Sequence, residues 1–337
     1  MPLARSAVVP ALAVLAMGAR SIVRGRMGLD LREQVVLITG GSRGLGLAMA
    51  EEFARQGAHL VLCGRQTEPL ARARDRLANL GARVLAVPCD VSQRDQVDQL
   101  AQQAVAHFGR VDVLVNNAGV ITVGPLAAQT LADFEQAMAT MYWGTVYATF
   151  ALLPQMRQRR TGRIVNVTSI GGRVSVPHLL SYSAAKFATV GFSEGLRAEV
   201  AKDGIRVTTV VPGLMRTGSH LNSYAKGSNR LEFTLFSLLA TLPVSSLDAR
   251  AAARQIVAAT RRGDAEIVLG WQAQLLARLH GVLPGTTADV LSLVNRVLPS
   301  AQGPQASAVL GRDSETPVTQ SFLTELGRRA AAELNQN

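Results

Sequence analysis

The sequence predicts an α/β fold in which a parallel β-sheet is covered by helices on both faces. From Gln34 to Leu269, short runs of Val, Ile and Leu alternate with longer stretches of helical periodicity. These short runs are apolar almost throughout, as strands buried on both faces are. The length of 337 residues suits one large domain with extensions at both ends.

Seven β-branched, apolar runs are the predicted strands. In chain order they are Val35–Ile38, His59–Leu62, Val84–Val87, Val111–Val115, Arg163–Val167, Ile205–Val211 and Glu266–Leu269. The stretches between them have helical spacing of apolar residues. They are Leu45–Gln56, Glu68–Leu80, Arg94–Phe108, Leu131–Arg157, Tyr182–Lys202 and Asp248–Thr260.

The regular alternation loosens after Pro212. An almost wholly apolar stretch, Leu231–Leu242, ends at Pro243, and two apolar helical stretches follow, Gln272–Leu283 and Ala288–Leu298. Beyond them only a short helical pattern near Leu323–Leu334 stands out, so we expect this tail to lie outside the core. The sequence therefore predicts one domain over residues 31–270, an apolar helical extension over 271–300 and a loosely ordered tail over 301–337.

Residues 1–30 form a separate apolar and basic extension. The apolar run Ala7–Ala19 is broken by Pro10, and the arginines that flank it are Arg5, Arg20, Arg24 and Arg26. As a helix this run is too short to cross a hydrocarbon core, which needs about 20 residues. Three interpretations stay open: a signal-peptide core, an anchor lying at a membrane surface, or translation that starts at Met27.

The chain is basic, with a formal net charge of +11 that comes almost entirely from arginine. Such a charge admits nucleic acid, an anionic membrane or an acidic ligand. We interpret most of the arginines as scattered surface residues, and the lack of an interleaved aromatic and basic stripe argues against nucleic acid. The five histidines lack metal-ligand spacing, so we expect no metal. Cys63 and Cys89 favour a reducing compartment, hence a cytoplasmic protein, with peripheral association to a membrane as the alternative.

A glycine-rich turn joins the first predicted strand to the first predicted helix. It reads Thr39-Gly40-Gly41-Ser42-Arg43-Gly44-Leu45-Gly46. Glycines here allow a tight turn and a close approach of the backbone to a pyrophosphate, while the helix N-terminus offers amide donors. Because the turn lies between a strand and a helix, the sequence predicts a site for a dinucleotide in a doubly wound, Rossmann-type fold.

The second predicted strand is followed by Cys63-Gly64-Arg65, without the carboxylate that often binds the ribose 2′-hydroxyl of NAD. Arg65 and Arg43 carry guanidinium groups that match the geometry of a 2′-phosphate. We therefore expect NADP(H) to be preferred, with NAD(H) as the alternative.

A reactive group is predicted where Tyr182 and Lys186 lie four residues apart and so share one face of a helix. A lysine ammonium beside a phenol lowers the pKa of the phenol, which can then exchange a proton with a substrate. Ser169 follows the preceding strand and can hydrogen-bond the substrate oxygen. Together these residues predict acid–base chemistry at a hydroxyl or carbonyl group.

The sequence resembles the short-chain dehydrogenase/reductase family over about Leu31 to Leu269. The shared motifs are Thr39-Gly40-x-x-x-Gly44-x-Gly46, Asn116-Asn117-Ala118-Gly119, Ser169, Tyr182-Ser183-Ala184-Ala185-Lys186 and Pro212-Gly213, in this order. The resemblance implies an oxidoreductase in which Ser169, Tyr182 and Lys186 act on an alcohol or ketone. It also implies a homodimer or homotetramer.

The same resemblance implies further cofactor residues. Asp90 and Val91 would lie against the adenine, the segment Asn117, Ala118 and Gly119 would flank the cofactor, and Asn116 would stabilise the fourth strand. Lys186 would bind the nicotinamide ribose, and the loop from Pro212 through Gly213 to Thr217 would close on the carboxamide.

One residue departs from the family pattern. Where the family commonly has an asparagine that supports a proton relay, this sequence has Met141, in Met141-Tyr142-Trp143-Gly144. A thioether is a weak acceptor and cannot donate a hydrogen bond. We expect turnover to survive with altered proton delivery.

The variable stretch between Gly213 and Pro243 is the expected substrate region. Its apolar residues favour a lipophilic alcohol or ketone, although they would equally suit a partner subunit or a membrane surface. The leading hypothesis is an NADP(H)-dependent oxidoreductase. The alternative is a catalytically silent dinucleotide sensor or a membrane-associated scaffold.

Overall fold

A computed structural model of the protein describes residues 28–301 and 308–336. Its centre is a sheet of seven strands: β1 (Val35–Thr39), β2 (His59–Gly64), β3 (Val84–Pro88), β4 (Val113–Asn116), β6 (Gly162–Val167), β7 (Ile205–Pro212) and β11 (Glu266–Leu269). Their order in the sheet is β11-β7-β6-β4-β1-β2-β3, and every pair of neighbouring strands is parallel. The predicted parallel sheet is confirmed.

The helices are amphipathic or apolar segments, and six of them cover the sheet, as predicted. They are α1 (Gly44–Arg55), α2 (Thr67–Ala78), α3 (Arg94–Phe108), α4 (Leu131–Ala137), α5 (Gly144–Arg159), α6 (Leu180–Val200), α7 (Asn229–Thr241), α8 (Ala249–Arg262), α9 (Trp271–Val282), α10 (Pro284–Asn295) and α11 (Glu325–Glu333). One core cluster unites α1, α2 and α8 with one face of the sheet, and another unites α3, α5 and α6 with the opposite face. The fold is therefore doubly wound.

The sheet is apolar because its strands are buried on both faces. All five residues of β1 are buried, and β1 lies between β2 and β4 with Ile38 level with Leu62 and Val115. The carboxyl ends of β1, β4, β6 and β7 consequently meet along one edge, where the predicted site residues follow. Ligands bind at this edge in open α/β sheets.

The middle helix differs in one detail from the prediction. Residues Met138–Trp143 form a π-helical turn between α4 and α5, so Leu131 to Arg159 is not one uniform α-helix. π-Helical turns recur at functional sites. This one contains Met141.

Five short strands build two further sheets that the sequence did not predict. β8 (Leu214–Arg216) pairs with β10 (Ser246–Asp248), and β9 (Tyr224–Ala225) lies between β5 (Thr122–Val123) and β12 (Val309–Leu310). Each has only two or three residues, too few for a period of two to be visible. Together they close the region beyond the carboxyl edge of the main sheet.

The two terminal predictions have different outcomes. The apolar run and arginines of residues 1–27 lie outside the described residues. The expectation that the last residues lie outside the core is wrong, because Leu334 is 2% exposed and belongs to the cluster that contains α1 and α8. Within residues 28–301 and 308–336, each helix is too short or too polar to cross a membrane.

Candidate active site

The glycine turn has the geometry that its sequence predicts. Gly40 and Gly44 have φ values of +64° and +56°, in the left-handed region that favours glycine. A Cβ on Gly46 would lie only 2.1 Å from the carbonyl oxygen of Gly40. The turn is therefore closed tightly, and α1 begins with backbone amides at the carboxyl edge of the sheet.

Thr39 and Asn117 join this turn to the end of β4. The Thr39 hydroxyl accepts hydrogen bonds from the amides of Asn117 and Ala118, at 2.9 and 3.1 Å. Asn117 Nδ2 donates to the carbonyl oxygens of Thr39 and Gly40 at 3.0 and 3.1 Å. The Asn117 side chain thus fixes the shape of the glycine turn.

Asn116 belongs to a buried polar network between β4, β6 and α6. Its Nδ2 donates to Asn166 Oδ1 at 2.9 Å, and Asn166 Nδ2 donates to Ser193 Oγ at 2.9 Å. The network links these three elements, while Asn116 Oδ1 itself is buried without a hydrogen-bond partner among the described residues. The network supports the stabilising role expected of Asn116 and holds β6 against the helix that carries Tyr182.

Ser169, Tyr182 and Lys186 lie together beyond the end of β6. A Cβ on Gly171 would lie 3.3 Å from Tyr182 Cε1 and 3.5 Å from Ser169 Oγ. Lys186 Nζ donates to the carbonyl oxygen of Val167 at 2.9 Å and lies 5.7 Å from the centroid of the Tyr182 ring. The chain therefore brings a hydroxyl, a phenol and an amine into one small volume.

The pKa values of this group differ from the expectation for Tyr182. Burial raises the pKa of Tyr182, and its hydrogen bond with Ser169 acts in the opposite direction without cancelling the effect. Burial lowers the pKa of Lys186 to about 8. The expectation of a lowered tyrosine pKa is wrong here, because desolvation of the phenolate outweighs its stabilisation.

Met141 occupies the inner side of the π-helical turn and is 1% exposed. It packs in a small cluster with Val120 and Ala185, against Tyr182. Its backbone carbonyl accepts a hydrogen bond from Thr145 Oγ1 at 2.8 Å. The residue that departs from the family pattern therefore lies directly beside the reactive group.

The predicted phosphate-binding residues lie at the outer end of the glycine turn. Arg43 Nη1 donates to Asn222 Oδ1 at 3.0 Å, and a second bond joins Arg43 to Gln66. Arg65 is exposed directly after β2 and its positive charge lowers the pKa of Arg43, although burial has a larger effect. The guanidinium groups of Arg43 and Arg65 thus lie close to each other at the outer end of the glycine turn.

The other predicted cofactor residues line the same edge. Asp90 Oδ1 accepts hydrogen bonds from the amide and hydroxyl of Ser92, at 3.0 and 2.8 Å, and Val91 is buried against Gly144. The expected adenine residues are therefore held in a fixed loop after β3.

The loop from Pro212 to Thr217 faces the start of α1. The amide of Gly213 donates to the carbonyl of Leu269 at 2.9 Å. Thr217 is buried, and its Cβ lies 3.7 Å from the position that a Cβ on Gly44 would take. The structure thus places this loop beside the glycine turn.

Sequence reasoning missed a buried pair between the loop before α6 and helix α7. His178 Nδ1 lies 2.7 Å from Glu232 Oε1, and their side chains are only 7% and 3% exposed. The side chain of His178 is buried because α7, which carries Glu232, folds over its loop. The φ of His178 is +64°, a conformation uncommon for residues other than glycine.

A cavity of about 700 Å³ lies beside this loop. Its walls come from residues 124–129, from residues 174–180 and from α10. The lining is largely apolar, with Pro125, Val174 and Leu291 among its residues. No group of His, Cys, Asp and Glu side chains within residues 28–301 and 308–336 is arranged to bind a metal ion.

Comparison with known proteins identifies relatives of this chain. Residues 34–226 match the sequence profile of the family described as short chain dehydrogenase. A dehydrogenase/reductase SDR family protein 7-like of Anopheles gambiae is 40% identical over 204 residues, which is 59% of this chain and 64% of that protein. The match thus spans less than two thirds of the relative's length.

Two solved structures have a similar fold. A short-chain dehydrogenase from Streptomyces avermitilis is 33% identical with a TM-score of 0.67, covering 79% of this chain and 98% of that one. The L-sorbose reductase of Gluconobacter frateurii, solved with NADPH and L-sorbose, is 30% identical with a TM-score of 0.64. That similarity covers 72% of this chain and 96% of the reductase.

Proposed function

This chain belongs to the short-chain dehydrogenase/reductase family of oxidoreductases, and from that premise we propose that it interconverts a hydroxyl and a carbonyl group on a small lipophilic compound. The observation that carries the proposal is the meeting of Ser169, Tyr182 and Lys186 at the carboxyl end of β6. A nicotinamide dinucleotide supplies or accepts the hydride when it is bound.

The three side chains have separate roles in this proposal. The Ser169 hydroxyl orients the substrate oxygen, and the Tyr182 phenol exchanges a proton with it. The raised pKa of Tyr182 keeps the phenol protonated, which suits donation to a carbonyl oxygen during reduction. Lys186, with a pKa of about 8, changes charge just above neutral pH and so modulates that transfer.

The glycine turn is suited to a dinucleotide. Gly46 allows helix and strand to approach closely, and the amides at the start of α1 can bind a pyrophosphate. We propose that NADP(H) is preferred over NAD(H), because Arg43 and Arg65 can bind a 2′-phosphate and Asp90 lies one strand away from the usual acidic position. The NADPH complex of the related sorbose reductase supports this choice.

The cofactor preference is tested by Arg65→Ala. We expect the Kd for NADPH to rise about ten-fold or more, because a charge-assisted phosphate contact is lost. The Kd for NADH should stay unchanged. Arg83→Ala is the matched control, since that guanidinium lies over the ring of Phe108. Equal effects on both cofactors would contradict the proposal.

The lipophilic substrate is supported by the cavity beside Pro125 and Val174. Its volume of about 700 Å³ is in the range of small-molecule sites, and its walls include residues of the loop before α6, although Ser169, Tyr182 and Lys186 themselves do not line it. Helix α7 contacts the same loop, because its Glu232 lies 2.7 Å from His178, which is among the lining residues. We therefore propose an alcohol or ketone with a substantial apolar body.

The function is tested by NADPH oxidation with a panel of apolar ketones. The wild-type chain should turn over at least one of them, and Tyr182→Phe should abolish the turnover because the phenolic proton is removed. Tyr147→Phe is the matched control, since that ring stacks on Trp143 outside the reactive group. Turnover that Tyr182→Phe leaves intact would refute the assignment.

Two surfaces support proposals about partners. On α5 and α6, Phe150 and Phe187 are exposed, and we propose that a second copy of the chain covers them in a dimer or tetramer. On α9 and α10, Leu279 and Leu293 are exposed, and we propose contact with a membrane surface there. Sedimentation of the chain, with and without anionic vesicles, tests both proposals.

A further inference from the structure

The end of the chain docks on the glycine turn. We name residues Glu325–Gln336 the C-terminal segment; it consists of α11 and the three residues that follow. Its Ala331 packs so closely on Gly218 that a Cβ there would lie 2.4 Å from Ala331 Cα. Ala331 and Leu334 are both almost fully buried. The segment is therefore a packed part of the fold.

The residues after α11 bind the start of α1 directly. The amide of Gly44 donates to the carbonyl oxygen of Leu334 at 2.8 Å. Asn335 Nδ2 donates to the carbonyl oxygen of Ser42 at 2.8 Å. Gln336 Nε2 lies 2.7 Å from the position that a Cβ on Gly44 would take. Three consecutive residues thus cover the beginning of this helix.

Four arginines surround the same place: Arg43, Arg65, Arg72 and Arg312. Burial and then the positive charges of the other three lower the pKa of Arg43. Arg43 and Arg312 both donate to Asn222 Oδ1, at 3.0 and 2.6 Å, and Arg72 Nε donates to Asn335 Oδ1 at 2.7 Å. The side-chain amides of Asn222 and Asn335 therefore occupy a cluster of positive charge, and such a cluster would bind a phosphate group.

An amide at the start of a helix is a donor that a bound pyrophosphate uses. The Gly44 amide cannot donate in line to the Leu334 carbonyl and to a phosphate oxygen at the same time. We propose that the C-terminal segment is an internal competitor of the dinucleotide, so that binding of the pyrophosphate releases Leu334, Asn335 and Gln336 from the turn. This inference rests on the proposed function, because it regulates the same cofactor site.

The competition changes the apparent Kd for the cofactor by an amount that can be measured. The apparent Kd for the cofactor equals the intrinsic Kd divided by the fraction of molecules in which the segment is released. A segment that is docked in about 90% of molecules weakens binding about ten-fold. A phosphate can displace it because charge-assisted bonds to arginine are stronger than bonds between neutral groups.

The experiment measures the Kd for NADPH by fluorescence in three forms of the chain. One is the full chain, one ends at Glu333, and one is full-length with Asn335→Ala and Gln336→Ala. The first variant removes the Leu334 carbonyl, and thermal unfolding checks that it folds. The second keeps the buried Leu334 side chain and removes the amide contacts, and alanine at position 335, where φ is +60°, also disfavours the docked backbone. We expect about ten-fold tighter binding in the shortened chain and a smaller gain in the double variant.

Unchanged or weaker NADPH binding in both variants would overturn the inference. Hydrogen exchange gives a second readout, because linkage requires NADPH to speed exchange in residues 334–336 of the full chain. Slower exchange there would instead show that the segment covers a bound cofactor, against our proposal. Absence of NADPH and NADH binding in all three forms would refute the proposed function itself, and the inference with it.

Discussion

The buried ammonium of Lys186 makes the stability of the protein depend on pH in a window set by one residue. Burial lowers its pKa from 10.5 to about 8, whereas the pKa is ordinary in the unfolded chain. Between pH 8 and 10.5 the unfolded chain therefore binds more protons than the folded one, so the free energy of unfolding rises with pH. Below this window the protein carries the full cost of burying the charge.

The magnitude follows from the size of the shift. Each pKa unit corresponds to about 1.4 kcal/mol, so the buried charge costs about 3 kcal/mol at pH 7 and about 1 kcal/mol at pH 9.5. Lys186→Met removes the charge and keeps most of the apolar stem. Its stability relative to the wild type should consequently fall by about 2 kcal/mol between these two pH values.

The assay is equilibrium urea unfolding of both chains at pH 7 and pH 9.5. Comparison at each pH removes the contributions of the other titrating groups, which the two chains share. Lys202→Met is the matched control, since this lysine is exposed and should show no such pH dependence. An equal difference between Lys186→Met and wild type at both pH values would refute the reasoning.

Three further predictions concern the site and its surroundings. Met141→Asn should raise the single-turnover rate of hydride transfer severalfold, because an amide can hold a relay water where a thioether cannot; an unchanged rate would show that the site needs no relay. Gly46→Ala should abolish NADPH binding in a fluorescence titration and destabilise the fold by about 2 kcal/mol or more, because its methyl group would overlap a backbone carbonyl. Gly191→Ala, in open space on α6, should instead stabilise by up to about 1 kcal/mol in urea unfolding. His178→Ala should destabilise the fold by about 3 kcal/mol in the same assay, because it leaves the buried Glu232 carboxylate unpaired, and Glu232→Gln should cost less.

The main sheet was predictable because its strands are buried on both faces. Full burial requires continuous apolar runs such as Val35–Ile38, which stand out in the sequence without tertiary information. The glycine turn was predictable for a related reason: Gly40 and Gly44 adopt a backbone conformation that few other residues tolerate. Constraints of this kind act on a few consecutive residues, so they produce a pattern that is visible in the sequence.

Contacts between residues that are far apart in the sequence produce no such pattern. The pairing of His178 with Glu232 depends on α7 folding over another loop, and the bond from Asn335 to Ser42 joins residues 293 positions apart. The prediction of a lowered pKa for Tyr182 was wrong for the same reason. The spacing from Tyr182 to Lys186 shows that an amine is near, but the extent of desolvation is set by residues from other elements.

Several contacts that enclose the site come from residues after the segment that matches the family. Glu232 pairs with His178, Val309–Leu310 pairs with β9, and Leu334 binds Gly44, and all three follow residue 226. The reactive group and the glycine turn lie within the matched segment. Part of the enclosure is therefore encoded outside the segment that carries the reactive group, so substitutions after residue 226 should alter access of substrate and cofactor while the chemical step itself is retained.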